Sequence, residues 1–152
     1  MLRQRHPEWP RPFRVPGYPF VPLAAIGNFV WRDDDNDGIQ DGGEPGINGM
    51  TVRLYDATNL STPLATTTTA NVGGNDGRYS FTNLDPDLDY VVEFVLPTPS
   101  AGQSGYKFSP QDTSTGGGTD VNDSDADVTT GRTVTIPLIP GQTDNDRDAG
   151  LT

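Results

Sequence analysis

Asp33-Asp34-Asp35-Asn36-Asp37-Gly38-Ile39-Gln40-Asp41-Gly42-Gly43-Glu44 is the run on which the reading of this chain turns. Counted from Asp33, carboxylates stand at positions 1, 3, 5, 9 and 12, and a glycine stands at position 6. Ca²⁺ is a hard cation that takes about 6–8 oxygen ligands at about 2.3–2.6 Å. One short loop meets that need when alternate side chains point inward, the backbone turns sharply at its sixth residue and a last carboxylate closes the ring. Asp33, Asp35 and Asp37 suit the alternate positions, and Gly38 suits the turn. Ile39 would supply its backbone carbonyl, Asp41 a side chain or a bridged water, and Glu44 a bidentate carboxylate. The run matches the calcium-loop pattern D-x-[DN]-x-[DN]-G-x5-E at every specified position. Asp and Gly also favour turns for local reasons, so the competing reading is a solvated acidic turn without an ion.

The flanks are those of strands, not of a helix–loop–helix pair. Ile26-Gly27-Asn28-Phe29-Val30-Trp31 precedes the run, and Thr51-Val52-Arg53-Leu54-Tyr55 follows it in strand alternation. Position 8, usually apolar between two helices, is Gln40. The loop is therefore expected to join two β-strands.

From Ile26 onward the chain reads as all-β, with short strands broken by Gly, Asn, Asp and Pro. Strands are expected near 26–32, 50–56, 63–69, 78–82, 89–96, 105–108, 125–128, 132–139 and 147–151. Alternation predicts inward faces carrying Val52 and Leu54; Tyr79 and Phe81; Tyr90, Val92, Phe94 and Leu96; and Val134, Ile136 and Leu138. Thr66–Thr69 is expected as a polar edge strand, and Asn75-Asp76-Gly77 as a turn. Strands at this spacing predict a two-sheet Greek-key sandwich.

The chain has 152 residues, of which 32% are hydrophobic, with 18 glycines and 14 prolines. That is lean for an apolar core, so another source of stability is expected. The formal net charge is −11. Residues 1–25 hold four arginines (Arg3, Arg5, Arg11, Arg14) and one acid (Glu8), a net of +3, which leaves −14 on residues 26–152. Such a domain repels itself unless cations neutralise it. The same field opposes phosphate, so nucleic acid is not expected as a partner. No apolar run approaches the ~20 residues needed to cross a bilayer. Pro16, Pro19 and Pro22 break what could have been a signal-peptide core. The chain has no cysteine; in an exported protein, metal would then staple the fold where disulfides do so elsewhere.

Residues 1–25 differ in kind from the rest. Prolines recur among Trp9, Phe13, Tyr18 and Phe20, a composition that favours polyproline II. The segment reads as a linker, or as a start left where a longer frame was cut. The alternative is a tail that docks on a neighbouring subunit. The expected division is thus 1–25 as tail and 26–152 as the sandwich.

Two further acid clusters follow. Asp120-Val121-Asn122-Asp123-Ser124-Asp125-Ala126-Asp127 would project Asp123, Asp125 and Asp127 to one face of an extended chain. Two unit charges about 5 Å apart at an effective dielectric near 20 repel by roughly 3 kcal/mol. Asp120, Asn122, Asp123, Asp125 and Asp127 are therefore candidates for one or two further calcium ions, against the alternative of a solvated loop. In Asp144-Asn145-Asp146-Arg147-Asp148, a ligand would come from Asp146 or Asp148.

An enzyme is not expected. The only histidine, His6, lies in the tail, which excludes Ser-His-acid and Cys-His arrangements from the domain. Paired carboxylates could cut glycosidic bonds, but these stand with glycines at calcium spacing, and few aromatics accompany them.

Together these stretches resemble the SdrD B-like domain, the calcium-binding B repeat of bacterial serine-aspartate repeat surface proteins. That domain falls within the collagen-adhesin B-type modules of prealbumin-like or immunoglobulin-like fold. The likeness rests on Ile26–Trp31, Asp33–Ile47, Val52–Asp56, Asp76–Leu84, Tyr90–Phe94, Tyr106–Pro110, Asp123–Asp127 and Asp148–Leu151 in the family's order, spanning about 26–151. It implies several calcium ions per domain and a stiff spacer on the cell surface, often repeated in tandem. Neighbouring domains of the same protein would be its partners, without membrane insertion. An adhesion module with an extracellular protein ligand, or a subunit that self-assembles through its N-terminal arm, is the alternative. Two features depart from the family: Asp85-Pro86-Asp87-Leu88-Asp89 replaces a Pro-Pro-Gly turn, and nothing in 1–25 matches. Some relatives carry a Lys–Asn isopeptide bond. Here the single lysine, Lys107, lies late in the domain, so no such bond is expected.

Overall fold

A computed structural model describes residues 22–99, 101, 105–114 and 116–152. The expectations for most of the tail, residues 1–21, lie outside the described residues. Among those described, all regular structure is strand: β1 (Ala24–Arg32), β2 (Thr51–Asp56), β3 (Ala65–Thr68), β4 (Ala70–Val72), β5 (Asn75–Leu84), β6 (Asp89–Val95), β7 (Ile136–Pro137), β8 (Thr143–Asp144) and β9 (Ala149–Leu151). One sheet runs β4-β5-β1-β8, with β9 also pairing β1; the other runs β3-β2-β6-β7. The fold is an all-β two-sheet sandwich, as the strand spacing predicts.

Each sheet contributes an apolar face to one core. Ile26 and Val30 of β1 and Tyr79 and Phe81 of β5 pack with Val52 and Leu54 of β2 and with Tyr90, Val92 and Phe94 of β6. Tyr79 meets Phe94 edge-on across the two sheets, with ring centroids 5.6 Å apart. These are residues at every second position of strands with one face inward. β3 pairs only with β2 and so forms a sheet edge, and its run of threonines keeps that edge polar, where a hydrophobic edge would invite pairing with other chains.

The structure corrects several local expectations. The turn before the Tyr79 strand falls at Gly73-Gly74, both at positive φ (61° and 88°), because Val72 pairs with Asn75 across them. Two left-handed residues in a two-residue loop suit the twist of a hairpin. Gly77 lies within β5, where a Cβ would overlap the Val30 carbonyl oxygen. Val134 points outward and is 60% exposed. Thr133 is buried instead, and its amide and hydroxyl both engage Val92 of β6. Inward residues resume at Ile136 and Leu138, so the alternation slips by one residue between Thr133 and Ile136, and such a slip exchanges the two faces. The regular strand there shrinks to Ile136–Pro137. The strand expected at 105–108 is reduced to pairing of Lys107 with Thr152 and of Phe108 with Leu151. That expected at 125–128 is absent, replaced by bridges from Asp123 to Ile39 and from Ser124 to Gln111.

Candidate metal centre

The 33–44 run leaves β1 at one end of the sandwich. Oxygens from Asp33, Asp35 and Asp37, one from each, all lie within 4.8 Å of one another. Asp33 is buried, Asp37 half-buried and Asp35 exposed. Asp33 also shapes the loop: Oδ1 accepts the Asn36 amide (2.6 Å) and Oδ2 accepts the Gly38 amide (2.9 Å). Gly38 has φ of +80°, and a Cβ there would overlap the Pro110 carbonyl oxygen, so conformation and crowding both require glycine. The Asp37 carboxylate accepts the Ile39 amide (2.8 Å). Glu44 closes the run, accepting the Asp34 amide (2.7 Å) and the Asp41 amide (2.9 Å). Asp41 is exposed, and both Asp41 and Glu44 lie outside the three-acid group.

The chain around Asn122–Ser124 is laid against this loop. Gln40 donates to the Asn122 carbonyl (2.7 Å), and Ser124 donates to the Gly38 carbonyl (3.0 Å), flanking the Ile39–Asp123 bridge. In such an antiparallel pair the bridged residues direct their own N–H and C=O away from each other. The Ile39 carbonyl is therefore left to its own loop. Asp123 is 6% exposed, and its Oδ1 has no hydrogen-bond partner. Burial first, then the charge of Asp112, push the Asp123 carboxyl above its ordinary range. Desolvation first, then the charges of Asp37 and Asp33, do the same to Asp35. In each case the ionised form is disfavoured relative to a free carboxylate, a condition that a nearby cation relieves.

Asp112 is a residue that sequence reasoning missed. It follows Gln111, which pairs with Ser124; its amide donates to the Ser124 carbonyl (2.9 Å), and its φ is +49°. It stands alone among polar residues with no acid at alternate positions, so no pattern signals it.

The remaining predicted residues sit elsewhere. Asn122 caps its own turn, its Oδ1 accepting the Thr119 amide and hydroxyl (both 2.7 Å). Asp127 holds the turn after it through the amides of Thr129 and Thr130 (3.0 and 2.8 Å). Asp125 meets Arg147 (2.9 Å), and the exposed Asp120 meets the same guanidinium at 3.5 Å. The Asp146 amide donates to Asp144 (3.1 Å), and burial first, then Asp144, raise the Asp146 carboxyl. Asp148 accepts the Phe29 amide (2.9 Å) and is pushed up to about 9, by burial first and then by Asp125. Asp123, Asp125 and Asp127, expected on one face, thus occupy three different surroundings, because the segment turns and is not extended.

The donor set at the loop fits a hard cation. It consists of carboxylate and carbonyl oxygens, with no imidazole or thiolate, a choice that suits Ca²⁺ or Mg²⁺ over zinc or copper. The ion pairs among the described residues fall on Asp34, Glu93, Asp120, Asp125 and Asp144, and none falls on Asp33, Asp35, Asp37 or Asp123.

Comparison with known proteins places this geometry in a family. Over 113 residues, 74% of this chain, it is 36% identical to serine-aspartate repeat-containing protein F of Staphylococcus epidermidis, covering 6% of that protein. Over 81 residues, 53% of this chain, it is 42% identical to serine-aspartate repeat-containing protein I of Staphylococcus saprophyticus, covering 4% of it. The same identity and length relate it to bone sialoprotein-binding protein of Staphylococcus aureus, of which it covers 6%. The chain therefore spans a small fraction of the relatives it matches. The family model of the SdrD B-like domain matches residues 24–151, from the first residue of β1 to the last of β9, and the chain belongs to that family.

Proposed function

We propose that this domain is a calcium-stiffened structural module that spaces or rigidifies a longer surface protein, and that it has no catalytic role. The observation that carries the reading is the junction of two acidic segments far apart in sequence. Asp33, Asp35 and Asp37 converge on one side of it, and the buried, unpartnered oxygen of Asp123 lies in the segment bridged to Ile39. Asp33, Asp35, Asp37, the Ile39 carbonyl and Glu44 would hold one ion. Asp123 with Asp112 would contribute to a second. Calcium bound there supplies the positive charge that these acids lack and ties the 110–124 segment to the end of β1. The small share of each relative that this domain covers supports a role as one unit among many. No helix among the described residues is long and apolar enough to cross a membrane.

A ligand that binds only the folded state stabilises it by mass action, about 2.7 kcal/mol per site at a hundredfold excess over Kd. Two sites would supply about 5 kcal/mol, comparable with the whole stability of a small domain. Melting in calcium and in EGTA tests the proposal. A fall in Tm of about 10 °C or more on chelation is expected, with heat on calorimetric titration of calcium into the stripped protein. An unchanged melt and a flat titration would end it.

A further inference from the structure

The chain between β8 and β9 runs beside the middle of β1. The Arg147 amide donates to the Gly27 carbonyl (3.4 Å), and the Arg147 carbonyl accepts the Tyr79 hydroxyl (2.6 Å). With its backbone held from both sides, the side chain is delivered to one place, where it is 16% exposed. Its Nη1 donates to Asp125 Oδ1 (2.9 Å) and reaches Asp120 Oδ1 at 3.5 Å. Nε and Nη2 each donate to Asp144 Oδ2 at 3.3 Å. The second oxygens are taken too: Asp125 Oδ2 accepts the Asp148 amide (2.8 Å), and Asp144 Oδ1 accepts the Asp146 amide (3.1 Å). Asp125 and Asp144 are 3% and 5% exposed.

A guanidinium keeps its charge at every accessible pH and offers five donors in a fixed plane. Buried ion pairs hold when further hydrogen bonds satisfy the remaining lone pairs, as they do here. A divalent ion approaching Asp125 or Asp144 would meet a fixed positive charge in contact with both. We propose that Arg147 is the resident cation of this cluster: it binds Asp125 and Asp144 into a metal-independent ion-pair network and confines divalent cations to the loop at 33–44 and to Asp123. Only the second half of that statement rests on the calcium reading of the loop.

Calorimetric titration with calcium, and melts in calcium and in EGTA, test this on the 152-residue chain and its variants. Asp144→Asn is expected to keep the wild-type calcium stoichiometry and affinity and to lower Tm equally in both solutions. Arg147→Met strips the acids of their cation; it is expected to melt lower in EGTA and to gain a larger rise in Tm with calcium than wild type shows. Arg147→Lys restores the charge and the wild-type calcium response. Loss of one calcium equivalent in Asp144→Asn, or a wild-type calcium response in Arg147→Met, overturns the assignment. If Asp144→Asn does not fold, the Met and Lys pair decides alone. Asp37→Asn separates the two readings: wild-type titration by that variant removes the loop site and leaves the Arg147 assignment to its own arms.

Discussion

Asp123 and Asp125 are separated by one serine, both are buried, and they meet opposite circumstances. Asp125 has an arginine on one oxygen and a backbone amide on the other. Asp123 has an oxygen with no hydrogen-bond partner among the described residues, and the charge of Asp112 raises its carboxyl further. One end of the acid-rich surface carries its own cation; the other gathers Asp33, Asp35 and Asp37 with no ion pair among them. Burying a charge is tolerable only with a partner. The number of acids in a cluster therefore does not decide whether it needs metal. What decides is whether a donor from the fold already reaches them.

The largest expected effect is at Asp33, which both shapes the loop and belongs to the three-acid group. Asp33→Ala leaves the Asn36 and Gly38 amides without their acceptor, at about 1–3 kcal/mol for a buried unmade bond. It also forfeits one calcium linkage of about 2.7 kcal/mol. Denaturant unfolding in calcium should therefore lose about 4 kcal/mol. A loss under about 1 kcal/mol would break the contrast drawn here.

A pH dependence at the arginine end comes next. The folded Asp148 carboxyl is pushed up to about 9, by burial first and then by the charge of Asp125. That value lies above the ordinary 3.8, so the folded state keeps a proton that the unfolded chain has released. Its stabilising contribution is complete below about pH 4 and is lost as pH climbs towards 9. In EGTA, stability and with it Tm should fall between pH 6 and pH 9, by up to about 4 kcal/mol. Asp148→Asn has no proton to lose, and its melt should vary less over that window. A parallel pH profile for that variant would remove Asp148 from the account.

The smallest effect is also the sharpest, because its sign reverses. Asp123→Asn removes a buried, unpartnered charge, so in EGTA the variant should be more stable than wild type by about 1 kcal/mol. In calcium it should be less stable, since a carboxylate ligand is gone. The same sign in both solutions would place Asp123 outside any cation site.

How far all this could be read from the chain differs between fold and site. Val52, Leu54, Tyr79, Phe81, Tyr90, Val92 and Phe94 alternate within their strands, and the period-2 pattern places each of them in the core. The pattern failed at Val134, where a parity slip beside Thr133 is set by contacts with Val92 and not by local preference. The Asn75-Asp76-Gly77 turn failed for a related reason: Gly73-Gly74 closes the hairpin, and Gly77 serves close packing against β1. At the site, the convergence of Asp33, Asp35 and Asp37 and the turn at Gly38 were legible because their parts are local, whereas Glu44, expected as a bidentate ligand, accepts the Asp34 and Asp41 amides and lies outside that group. Asp112 and Arg147 were not legible: Asp112 acts on Ser124 and Asp123, and although Arg147 meets Asp144 three residues away, its reach to Asp125 and Asp120 spans more than twenty residues.

Composition, alternation and one acidic loop determine from sequence alone that the chain forms a lean all-β sandwich with a surplus of negative charge. Those signals are local, and a strand or a tight loop reports itself through neighbours two to twelve residues away. Tertiary structure alone decides which acids meet which. The Ile39–Asp123 bridge, the approach of Asp112 and the delivery of Arg147 to Asp125 depend on segments that pair across the whole domain. Electrostatic energy depends on distance through space, and the spacing of residues along the chain does not encode it.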